Sequence, residues 1–200
     1  MTTLKNDQEQ LLRKYVVAFE RLDEMVVDEF SMPPAEQLIT GAEDEYGRKL
    51  WKPIRFETRK PFLDEIYAEL PNQFRFPRLF EQLLLSYRWA EVDLDTYRLL
   101  ANPPGHDVNG FFQQMTNDPF LWDALLPAGF LQFGKGPDLD YDPVCFDIKT
   151  RKQGGDCRIV KIDHEEILCN NRIKVVAELA PSFYHLVLQT IKLADEAPRF

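Results

Sequence analysis

At 200 residues with 44% hydrophobic side chains, the chain is long enough for one substantial packed domain and too apolar for wholesale disorder. Thirty-three acidic residues against 24 basic ones leave a net charge of −9, which repels phosphate backbones, argues against direct nucleic-acid binding and favours a basic protein partner. No stretch reaches the ~18 uninterrupted apolar residues of a membrane span, and the opening MTTLKNDQEQ has no apolar signal core, so a cytoplasmic location without membrane association is expected.

From Asn6 to about Phe30, Leu11, Leu12, Tyr15, Val16, Phe19, Leu22 and Val26 recur at three- and four-residue steps, one face of an amphipathic helix. Asn6 is its expected cap, with Glu9 three residues later. Such a helix docks on its own domain or on a partner. Pro33-Pro34 stops it. Between Glu20 and Glu45 there are nine acids and one base, Arg21, and glycines flank Glu43-Asp44-Glu45. This linker-like composition divides the chain into an N-terminal helix with an acidic linker (1–45) and a main domain (46–200).

Trp51 to Thr58 is ambiguous because Pro53 weakens either regular assignment. Pro61 opens a short helix, PFLDEIYAEL, and Pro77 opens PRLFEQLLLSYRW, whose Phe80, Leu83, Leu84 and Tyr87 share a face. Tyr97 to Leu100 reads as a strand. Asp107 is placed to cap a helix reaching Met115, and Asp118-Pro119 starts another. Gly129 to Phe133 returns as a strand.

The stretch Phe133 to Leu168 then organises the domain. Val144, Phe146 and Ile148 alternate with Cys145 and Asp147, which is strand periodicity; Gly154-Gly155 reverses the chain, and Cys157 to Ile162 is a second short, β-branched run. Arg172 to Ala177 is one more strand, and Ser182 caps a last helix with Phe183, Leu186, Val187 and Ile191 as its buried stripe. The irregular alternation of helices and hairpin-linked strands predicts an α+β domain with a mainly antiparallel sheet and flanking helices.

Little in the sequence encodes chemistry. Cys145, Cys157 and Cys169 lie twelve residues apart, an odd set that fits reduced thiols better than a disulfide framework or a zinc knuckle. Asp138, Asp140 and Asp142 alternate as in a calcium loop, but the required sixth and twelfth positions hold Pro143 and Lys149. Asp163-His164-Glu165-Glu166 invites an acid–base or metal reading, yet Asp163 and Glu166 have the spacing of a helix cap followed by the apolar Ile167-Leu168, the more economical account. Cys145 or Cys157 near His164 is a nucleophile on paper only, because strand burial is the default for both. No metal or other cofactor is therefore expected.

Three features resemble the SUKH superfamily, which includes fungal cell-wall regulators and many bacterial immunity proteins. Glu69-Leu70-Pro71 followed by Phe80-Glu81-Gln82-Leu83-Leu84 resembles the family's leucine–proline and amphipathic-helix opening. Phe133-Gly134-Lys135-Gly136, Asp140-Tyr141 and Phe146-Asp147 resemble its glycine-rich strand and tyrosine–aspartate hairpin. Val176-Ala177, Ser182-Phe183 and Leu186-Val187 resemble its closing helix pattern. Together they span roughly residues 61–190, and the N-terminal helix is additional. The resemblance implies an α+β fold, no catalytic activity, and binding of a protein toxin through an exposed groove.

The combined expectation is a non-catalytic binding domain that neutralises a basic bacterial toxin domain by occlusion. Its partner-binding residues are Asp138, Asp140, Tyr141, Asp142, Asp163, Glu165 and Glu166, which antiparallel strands bring to one mouth of the sheet. Trp51, Trp89, Trp122 and Tyr141 are candidate aromatic anchors. The alternatives are a metal-dependent hydrolase built on Asp138, Asp140, Asp142 and His164, and a regulatory scaffold whose first helix recruits a partner.

Overall fold

The computed structural model describes residues 2–27, 36–58, 60–71, 74–105, 108–152 and 155–197. In chain order these form α1 (Thr2–Leu22), β1 (Val26–Val27), a 3-10 turn (Glu36–Leu38), β2 (Lys49–Leu50), β3 (Ile54–Arg55), α2 (Lys60–Glu69), α3 (Arg78–Ser86), β4 (Tyr87–Arg88), β5 (Val92–Asp93) and β6 (Arg98–Leu99). There follow α4 (Asn109–Met115), α5 (Pro119–Leu125), β7 (Phe130–Lys135), β8 (Pro143–Asp147), a second 3-10 turn (Ile148–Thr150), β9 (Ile159–Ile162), α6 (His164–Asn170), β10 (Val175–Ala180) and α7 (Phe183–Glu196). The class is α+β. Strands β5 to β10 make a six-stranded antiparallel sheet in which sequence neighbours are spatial neighbours, and the pairs β1–β2 and β3–β4 make two small ribbons.

The expected central hairpin is present. Val144, Cys145 and Phe146 of β8 lie opposite Lys161, Val160 and Ile159 of β9. Gly155 takes a positive φ of 88° in the connection, while Gly154 lies outside the described residues. All five residues of β8 are buried, Cys145 as expected and Asp147 among them. The central strands β7 to β9 are covered on both faces. On one, Leu131, Phe133, Val144, Phe146 and Ile159 join the main core; on the other, Phe130, Cys145, Val160 and Ile162 pack with Leu125 of α5 and Ile167 of α6. Asp147 tolerates burial because Arg158 donates to its Oδ2 from Nε at 2.8 Å and the Lys149 amide bonds its Oδ1.

The main core is a lattice of phenylalanine rings. Phe80 lies 5.1 Å from Phe146 and from Phe183 in edge contacts, and Phe133 stacks on Phe146 at 4.2 Å. Leu12, Tyr15 and Phe19 of α1 belong to this same cluster, so residues on both sides of position 45 share one core and the first helix docks on its own domain. Its apolar stripe is packed into that core.

Several boundaries differ from the sequence reading. Helix α1 begins at Thr2, so Asn6 lies within it rather than capping it. It ends at Leu22 instead of continuing toward Phe30. There the Asp23 carboxylate draws the chain aside by accepting the Met25 amide at 2.8 Å and the Asp93 amide at 2.6 Å, with Met25 in the left-handed region. Pro33-Pro34 and the proposed Asp107 cap lie outside the described residues. Helix α3 stops at Ser86, not Trp89. Arg88 turns back to donate to the Leu84 and Tyr87 carbonyls, and its backbone pairs with Ile54. The strand expected over Tyr97–Leu100 shortens to Arg98–Leu99, and the strand expected over 172–177 shifts to Val175–Ala180. Three caps stand as read: Asp118 accepts the Phe120 and Leu121 amides, Asp163 that of Glu166 and Ser182 that of His185.

Candidate partner-binding site

The turn Gly136 to Asp142 joins β7 to β8 and is braced from within. The Gly136 amide donates to the Asp142 carbonyl at 2.9 Å, the Asp140 amide to Pro137 at 2.9 Å, and the Asp142 amide to Asp140 Oδ1 at 2.9 Å. The Asp138 amide reaches Asp93 Oδ2 on β5 at 3.2 Å, with Asp138 at a positive φ of 53°. The Asp140 carboxyl folds over Gly136 where a Cβ would stand, and a Cβ at Gly134 would lie 2.7 Å from the Arg98 carbonyl of β6. The glycine-rich run is thus explained by close packing.

Antiparallel pairing does bring the ends of β8 and β9 together, as expected. Asp142 Oδ1 accepts the His164 amide at 2.9 Å and lies 2.7 Å from His164 Nδ1. The expected mouth of mutually repelling carboxylates does not form, because most carry a cation from the same chain. Asp140 pairs with Lys161 at 2.8 Å, Asp163 with Lys174 at 2.9 Å, and Glu166 with Arg172 at 2.8 Å. Burial pushes the Asp140 carboxyl up, but the Lys161 hydrogen bond, the Asp142 amide and the Lys161 charge together hold it below the ordinary aspartate value. The Lys174 hydrogen bond and then the Glu166 amide hold Asp163 low in the same way. Of the seven residues singled out in the sequence, Asp138 and Glu165 are the exposed carboxylates with no ion pair among the described residues.

What the turn presents outward is apolar. Leu139 is 82% exposed and Tyr141 56%, and the Tyr141 ring meets the edge of His164 at 6.1 Å. One helical turn beyond His164, Leu168 is also exposed. Sequence reasoning named Tyr141 but missed Leu139 and Leu168. Leu139 sits between two aspartates and Leu168 follows the buried Ile167, and only the fold shows that both are left exposed. Of the other candidate anchors, Trp51 and Trp89 are core residues and Trp122 is half-buried against the core.

Of the residues named for hydrolysis, Asp142 and His164 meet as a pair, and the set as a whole does not close around one point. Asp140 turns to Lys161 and Asp142 to His164, and the described residues contain no group of three or more His, Cys, Asp and Glu side chains placed to hold a metal ion. Burial pushes the Cys145 thiol up and Cys157 to about 12, so neither supplies a thiolate near neutrality. No described helix is long and apolar enough to cross a membrane. No family model matches this sequence, and no curated protein and no solved structure matches it.

Proposed function

We propose that the chain is a non-catalytic protein-binding domain, an immunity protein of the SUKH kind, that neutralises a basic toxin domain in the cytoplasm by covering its working surface. The observation that carries the binding reading is the exposure of Leu139 and Tyr141 on a turn whose backbone is already fixed by its own hydrogen bonds. A pre-ordered turn loses little conformational freedom on binding, and exposed Leu and Tyr side chains on it serve as anchors. The toxin class rests on the motif resemblance and on charge. With a net charge of −9, the chain attracts a cationic domain at long range. Asp138 and Glu165 add unpaired carboxylates beside the anchors. Asp140, Asp142, Asp163 and Glu166 serve the site indirectly by holding the turn and the first turn of α6 in place.

The test is co-expression with the polypeptide of the adjacent reading frame. The expected outcome is growth arrest by that polypeptide alone, relief by this chain, and a stable complex of the two on size-exclusion chromatography. Failure of both relief and complex formation contradicts the immunity reading. A stoichiometric metal in the purified protein, together with hydrolytic activity lost on Asp142→Asn, favours the hydrolase instead.

A further inference from the structure

The outer surface of α1 and α7 carries a second feature, on the helical layer that covers the phenylalanine face of the sheet. A groove of about 530 Å³ runs between the two helices. Val17 of α1 and the half-buried Ile191 of α7 line it, and the buried Ala18 and Ala194 lie at its base where the two helices meet. Val17 is 49% exposed, on the side of α1 away from the face used in the core. Arg13 and Lys14 stand at the lip. The ion pair from Arg21 to Asp195, at 2.6 Å, ties the two helices together beside them.

The charge pattern identifies what fits. Acids outnumber bases 33 to 24 in this chain, and three cations on or near α1 are matched: Lys52 to Glu20, Arg55 to Glu9 and Arg21 to Asp195. Arg13 and Lys14 are consecutive and exposed, and no ion pair among the described residues involves either. An apolar trough with alanines in its floor lets another helix approach closely, since helices pack by seating ridges in such grooves. Two unmatched cations at its edge select for carboxylates on that helix. We propose that the α1–α7 groove docks an acidic amphipathic helix of a partner protein, with its apolar stripe on Val17 and Ile191 and glutamates facing Arg13 and Lys14. This surface is separate from the Gly136–Asp142 turn and takes a ligand of opposite charge.

The probe is a fluorescein-labelled helical peptide of about 18 residues, with a Leu/Ala stripe flanked by glutamates, titrated with the full chain and followed by anisotropy. A scrambled peptide of the same composition is the reference. The expected result is saturable binding of the amphipathic peptide alone. It weakens at least about tenfold in Arg13→Glu/Lys14→Glu and in Val17→Asp, and is unchanged in a control double variant, Lys149→Glu/Lys152→Glu. All the substituted side chains are exposed, and unaltered melting curves show that loss of binding is not loss of fold. Equal binding of the scrambled peptide, or binding indifferent to the groove variants, overturns the proposal. So does occupation of the groove by a second copy, seen as a concentration-dependent dimer in sedimentation that Val17→Asp abolishes. Displacement of the peptide by micromolar oleate, with the chain binding oleate in its own right, assigns the groove to a lipid anion and overturns it equally.

Discussion

Asp140 accepts the Lys161 ammonium on one oxygen and the Asp142 amide on the other, so a single side chain fastens the turn to β9 and orders its backbone. Its folded pKa lies below the ordinary aspartate value near ~3.9. A depressed carboxylate contributes stability above that ordinary value and loses it as pH falls through the lower folded value. The acid limb of the stability profile, below about pH 4, should therefore become shallower in Asp140→Asn, measured by urea unfolding at a series of pH values. At neutral pH the cost should be about 0.5–1 kcal/mol, because the pair is partly solvated and the carbonyl of the substituted side chain would still accept the Asp142 amide. Gly134 makes a different argument at the same scale. Alanine there would bring a Cβ against the backbone of β6 and should cost about 1–3 kcal/mol by thermal melting. An unchanged melting temperature would show that β6 yields easily. The glycine-rich run was legible as a motif, but its reason was not, because the carbonyl that excludes a side chain belongs to Arg98 on another strand.

The elements that the sequence predicted well are those whose signals are local. Asp118, Asp163 and Ser182 each cap a helix through an amide two or three residues on, so cap and partner fall within one reading window. Ser182→Ala should accordingly lower stability by about 1 kcal/mol. The end of α3 was illegible because it depends on the pairing of Arg88 with Ile54, more than thirty residues earlier, while the apolar period runs on through Tyr87. Strand β8 was located correctly and the burial of Cys145 was expected, but which elements cover that side was not legible. The alternation of Val144, Cys145 and Phe146 marks which face each residue takes, and it does not report that α5 and α6 cover the second face. Replacing Phe146 with proline removes a ladder donor and a ring in contact with Phe80, Phe133 and Phe183, and should cost ~3 kcal/mol or more. Melting like that of the unaltered chain would be incompatible with a central β8.

Across the whole molecule, a net charge of −9 coexists with extensive internal pairing at the mouth of the sheet. The α+β class and the approach of Asp142 to the Asp163 end of the hairpin were readable from strand and turn order, while the contact of Asp142 with His164 was not. The neutralisation of Asp140, Asp163 and Glu166 was not, because it depends on the register that sets Lys161 opposite Val144 and on the side from which Lys174 and Arg172 return. On the proposed reading, electrostatic steering of a cationic partner falls to Asp138, Glu165 and the overall charge, whose reach is about a Debye length of ~8–10 Å. With a cationic partner, Asp138→Asn/Glu165→Gln should slow association and flatten its salt dependence while leaving dissociation nearly unchanged. The most direct test of the binding turn is the dissociation rate of Leu139→Ala/Tyr141→Ala from the adjacent frame's polypeptide, measured by biolayer interferometry beside a melting curve. Dissociation at least about tenfold faster, with melting unchanged, is the predicted result. A complex as long-lived as that of the unaltered chain would contradict the assignment of this turn as the binding surface.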